Sequence, residues 1–96
     1  MMRFDLIDGI DIGKDGGAWL RQMREAAGLT QREVAVRVGL TYHIFVDHVE
    51  AGAGRIAATA LARWADALRI DRIEFVTRLR GFDDAPRRVE KALVEA

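Results

Sequence analysis

The chain has 96 residues, half of them hydrophobic, and its fifteen basic and fifteen acidic residues cancel to a formal charge of zero. That length makes one domain able to bury a core. The absence of cysteine excludes a disulfide framework and a thiolate metal site, and no apolar run reaches membrane-spanning length.

Residues 1–17 mix Asp5, Asp8, Asp11 and Asp15 with Gly9, Gly13, Gly16 and Gly17. Leu6, Ile7, Ile10 and Ile12 allow one short extended piece. The expectation is a flexible or extended N-terminal arm, loosely held or packed on a second copy. The start lacks the basic-then-apolar layout of a signal peptide, so a cytoplasmic protein is expected. A first helix is predicted over residues 18–27. Leu20, Met23 and Ala27 recur at helical spacing and face inward, Trp19 covers the edge of that stripe, and Gly28 ends the helix. A second helix is predicted over residues 31–38, with Val34, Ala35 and Val38 buried and Arg32, Glu33 and Arg37 in water.

A third helix is predicted over residues 42–50. A helical wheel puts Tyr42, Phe45, Val46 and Val49 on one face as core, and His43, Ile44, Asp47, His48 and Ala51 on the other. Gly52-Ala53-Gly54 breaks this helix. A fourth helix, over residues 58–69, turns Leu61, Trp64, Ala65 and Leu68 inward. Asp71-Arg72-Ile73-Glu74 is a capping-box pattern opening a fifth, whose core contacts are Ile73, Phe75, Val76 and Leu79 and whose stop is Gly81. Pro86 suits the first turn of a last helix, with Val89, Ala92 and Leu93 as a narrow apolar stripe. The reading is all-α, in three stretches: an N-terminal arm (1–17), a five-helix domain (18–81) and an extra C-terminal helix (82–96).

The organising stretch is Gly28 to Gly52. Leu29-Thr30 and Leu40-Thr41 precede two short helices on either side of Gly39. A threonine at a helix start accepts a hydrogen bond from a free backbone N–H. Thr30 with Glu33 forms a capping box, and Gly39 stands where a positive φ turns the chain. Two short helices joined by such a turn read as a helix-turn-helix, a motif whose partner is double-stranded DNA.

The run Leu20-Arg21-Gln22-Met23-Arg24-Glu25-Ala26-Ala27-Gly28-Leu29-Thr30-Gln31 resembles the opening of phage-repressor-like domains of the Cro, or XRE, type. Val49-Glu50-Ala51-Gly52 resembles the end of their recognition helix, and Ala65-Asp66-Ala67-Leu68-Arg69-Ile70-Asp71 the exit of their fourth helix. The resemblance covers about residues 18–80 in three ordered motifs. It implies a five-helix, sequence-specific DNA-binding transcription regulator of bacterial or phage origin. It also implies a homodimer, with the third helix in the major groove. Carried over by position, it implies that Gln31 bonds a phosphate and that Thr41, Tyr42 and His43 approach the DNA. It further implies that Arg24 and Glu50 form a buried salt bridge.

The residues themselves add Arg32, Ile44, Asp47, His48 and Arg55 to the candidate DNA face. Arg55 follows the third helix and suits a phosphate. No arginine, lysine, asparagine or glutamine, the usual readers of bases, stands on the outer face of that helix. Asp47 is repelled by phosphate but suits a cytosine amine, and Ile44 suits a thymine methyl or another protein. Neutral charge weighs against a polyanion unless the cations are unevenly placed. A second reading follows: a helix-turn-helix turned into a protein-interaction module, with RNA polymerase, a toxin or another regulator as partner. His43 and His48 lie five apart, off one helix face and without a third ligand, so no metal is expected. Serine is absent and no nucleophile–base pair is visible. Neither an enzyme nor a cofactor is expected.

Overall fold

Side-chain caps set the helix boundaries. Thr30 Oγ1 accepts from the Glu33 N–H at 3.0 Å and Glu33 Oε1 from the Thr30 N–H at 2.8 Å, so the capping box closes both ways. Gly39, at φ 81°, ends that helix in the left-handed conformation that a side chain disfavours. Asp71 Oδ2 accepts from the N–H groups of Ile73 and Glu74 at 3.1 and 3.0 Å and opens the last described helix. The computed structural model describes residues 9–82. They form α1 (Gly13–Ala26), α2 (Gln31–Val38), α3 (Ile44–Glu50), a short 3₁₀ turn (Ala58–Ala60), α4 (Leu61–Leu68) and α5 (Arg72–Phe82). The expected C-terminal helix lies outside the described residues, as does the start of the arm.

Each helix gives its apolar face to one core. Leu20 of α1, Val34 and Val38 of α2, Val46 and Val49 of α3, Trp64 and Leu68 of α4, and Phe75 and Leu79 of α5 are all buried in it. Burial of each such side chain favours folding by about 1.5–3 kcal/mol. α3 lies between α1 and α2, α4 packs on α2, and α5 closes the bundle against α4 and α1. The Trp19 ring caps the α1–α5 seam, 5.9 Å from both Phe75 and Phe82, with the Arg78 guanidinium 5.0 Å from its centre.

Several expectations are corrected. α1 begins at Gly13 rather than Ala18, inside the stretch read as an arm. Asp11 Oδ1 accepts from the Gly13 N–H at 3.2 Å at its start. Ile10 and Ile12 are buried, and Ile10 pairs with Ile56 in one antiparallel bridge, N–H to O at 2.9 and 3.1 Å. The glycines read as signs of flexibility serve close packing: Gly16 and Gly17 are buried in α1. α3 begins at Ile44, not Tyr42, and Thr41 is not its cap. The N-cap position falls on His43, without a side-chain cap, and the chain winds in through the Phe45 N–H to Tyr42 O at 3.2 Å. Tyr42 therefore lies outside the helical wheel that made it core. It is 63% exposed, and Phe45 is 45% exposed, with their rings 6.2 Å apart. Ile73, expected inside, is 79% exposed, because the inward face of the first turn of α5 begins at Phe75. Gly81 does not stop α5, which runs on to Phe82, held by its contact with Trp19.

Candidate nucleic-acid interface

The outward side of α3 is framed from behind by a backbone contact and a buried ion pair. A Cβ on Gly17 would stand 2.3 Å from Glu50 O and 2.6 Å from Val49 O, so only glycine lets α1 approach the end of α3 this closely. Gly52, at φ 85°, then turns the chain against the backbone of Lys14. Arg24 and Glu50 meet as a two-pronged pair: Nε donates to Oε2 at 2.6 Å and Nη2 to Oε1 at 3.1 Å. The third prong, Nη1, donates to Leu29 O at 2.9 Å. Glu50 is the one buried charged residue among those described. Its hydrogen bonds raise the pKa of the Arg24 guanidinium above the ordinary value. One fork thus ties α1, the turn before α2, and the end of α3.

Gln31 extends this network to the surface. Its Nε2 donates to Glu50 Oε1 at 3.0 Å and to Asp47 Oδ1 at 3.2 Å. Both hydrogen bonds run inside the protein, so the Gln31 amide faces two carboxylates. At the start of α2 the Glu33 N–H is taken by Thr30 Oγ1. Gln31, Arg32, His43 and Asp47 line one cleft of about 630 Å³, together with Thr30 and Arg21. Sequence reasoning missed Arg21. It lies one turn before Arg24 on α1, a spacing that points to the same face, and it pairs with Glu25 at 3.2 Å.

The other candidates fall elsewhere. Thr41, Tyr42 and Ile44 are exposed around the start of α3. His48 and Arg55 line a separate hollow of about 250 Å³ beside Phe45 and Trp64. His43 and His48 therefore face different hollows, and no group of three metal-ligating side chains occurs among the described residues. Arg55 Nη2 donates to Gly9 O at 3.1 Å, which fastens this guanidinium to the extended segment preceding α1. No described helix is long and apolar enough to cross a membrane.

Two stacked short helices, the second with its outer side bare, define a class: a DNA-binding regulator built on a helix-turn-helix. The chain belongs to the helix-turn-helix domain family, of the XRE-like kind; the family model matches residues 17–77. The chain is similar to the restriction-modification controller protein C.AhdI from Aeromonas hydrophila. The two are 34% identical with a TM-score of 0.58, over 68% of this chain and 96% of that one. It shares its fold with a single-substitution variant of the restriction-modification controller protein C.Esp1396I. There the TM-score is 0.60 at 16% identity, over 76% of this chain and 91% of that one. No curated protein matches the chain.

Proposed function

We propose that the protein is a sequence-specific transcription regulator that inserts α3 into the major groove of duplex DNA and acts as a dimer. One observation carries this reading. Thr41, Tyr42, His43, Ile44, Asp47 and His48 are all exposed, while Val46, Val49 and Glu50 are buried behind them. The helix is held rigidly from its inner side and its outer side is free for a ligand. Arg32 on the first turn of α2 and Arg55 after α3 flank that side and suit the sugar–phosphate backbone, which sets register, while α3 sets choice. The likeness to a controller protein supports the reading further. The alignment spans 96% of C.AhdI, so a domain of this kind is nearly the whole of that regulator. The dimer supplies a second half-site, and the protein works in the cytoplasm without a cofactor.

Selection of bound duplexes from a random library, followed by sequencing, tests the reading. A reproducible consensus is expected, arranged as two related half-sites, with light scattering giving a dimer on the selected duplex. A strict monomer with and without DNA removes the dimer. Failure to enrich any sequence favours the protein-interaction module instead, with the exposed Tyr42, Ile44 and Phe45 as its contact surface.

A further inference from the structure

We infer that Asp47, held in place by Gln31, selects a cytosine in the DNA site by accepting a hydrogen bond from its N4 amino group; this assignment rests on the DNA-binding reading above. The count of free donors decides which base fits. A carboxamide has two N–H donors and one acceptor oxygen. Both Gln31 N–H groups are used, one by Asp47 Oδ1 at 3.2 Å and the other by Glu50 Oε1 at 3.0 Å. The pair offers a ligand Gln31 Oε1 and Asp47 Oδ2, which are both acceptors. Phosphate oxygens and the guanine O6 and N7 edge are acceptors too, so they find no donor here. The donors on the major-groove edge are the amines of cytosine and adenine. Adenine sets its amine beside the N7 acceptor, which opposes a carboxylate. Cytosine sets its amine beside a C–H.

Position and rigidity agree with this chemistry. Asp47 lies one turn after Ile44, and residues three apart share a helix face. Ile44 is 44% exposed, an apolar neighbour suited to the C5 edge of a pyrimidine. Asp47 is itself exposed, yet its carboxylate is tied through Gln31 to the buried Arg24–Glu50 fork. An acceptor fixed in this way discriminates between bases, where a free one would swing aside to water. The exposed Arg32, on the rim of the same cleft, supplies the phosphate donor that Gln31 does not.

The test compares sites selected from a random duplex library by the full chain and by its Asp47→Asn and Asp47→Ala variants. Affinities for chosen duplexes follow from fluorescence anisotropy. The wild-type site is expected to hold a fixed C·G pair whose change to T·A weakens binding about 5- to 100-fold. The same change is expected to leave the affinity of Asp47→Ala unaltered. Asp47→Asn is expected to move the preference at that position to adenine, which suits a carboxamide. A wild-type site without a fixed cytosine, or variants that select the same site as wild type, overturns the assignment and leaves the DNA-binding reading standing. A wild-type protein that enriches nothing overturns both, so the wild-type selection alone tells the failures apart. Matching thermal melts show that the variants are folded, and the base-pair change probes the contact without altering the protein.

Discussion

Glu50 receives three hydrogen bonds, two from Arg24 and one from Gln31, and its side chain is only 5% exposed. Removing one partner of a buried ion pair strands the other charge in a dry place. Glu50→Ala is therefore expected to lower stability by about 3–5 kcal/mol, read from urea unfolding of wild type and variant. A loss under about 1 kcal/mol, the scale of an exposed pair, would mean that Arg24 finds solvent in this site. Glu33 and Asp66 act more weakly, at the surface. The Thr30 backbone and side-chain hydrogen bonds lower the Glu33 pKa, and the Arg72 guanidinium lowers that of Asp66. A carboxylate lowered in the folded state contributes stability above its unfolded pKa and loses it as pH falls through the folded one. The melting temperature is thus expected to hold from about pH 7 to about 5 and to decline below the usual carboxylate range of about 4. High salt should flatten the Asp66 part, since that pair is exposed and screened. A melting temperature that rises on acidification would contradict these assignments.

The position of α3 depends on Gly17. Gly17→Ala places a methyl group against the Val49 and Glu50 carbonyls and forces α1 away from α3. Overpacking of this kind costs about 1–3 kcal/mol, and here it also displaces the end of α3. The variant is expected to melt lower and to bind DNA more weakly than its loss of stability explains, by melting and anisotropy together. Wild-type affinity in the Gly17→Ala variant would show that the α1–α3 contact does not set the interface. At the end of α4, Arg69 adopts φ 60° and ψ 41°, a left-handed cap that a Cβ disfavours. Arg69→Gly is expected to raise stability by about 1 kcal/mol, measured by urea midpoint, and a drop would reveal an unseen role for the arginine. The same elements show what the sequence makes legible. Thr30, Glu33 and Gly39 bound α2 through contacts within a few residues, so its limits and buried face are readable from the chain. The start of α1 is not: Gly16 and Gly17 look like breakers locally, and it is Phe82 and the buried Ile12 beside Gly16 and the approach of α3 to Gly17 that make them packing positions. Tyr42 is misread because the wheel assumes a helix that has not yet begun there. The hydrogen bond from Gln31 to Asp47 spans sixteen residues and has no local signature.

For the whole molecule, zero net charge says less than where the charge stands. Arg24 is taken up by Glu50, Arg72 by Asp66 and Arg21 by Glu25, Arg55 donates to Gly9 O, and Arg32 stands exposed on the rim of the cleft beside α3. The family and fold are legible from three ordered motifs, whereas the split of the candidate DNA face into two hollows follows from the fold alone. The most direct test of the DNA-binding reading is the affinity of the full chain for its selected duplex and for random duplex across a salt series. Each phosphate neutralised releases counterions, so log K falls by about 0.9 per contact for each decade of salt. A steep linear fall is expected for both duplexes, with the selected one bound more tightly at every salt concentration. Absence of binding to either duplex at the lowest salt, or an affinity indifferent to salt, would contradict it.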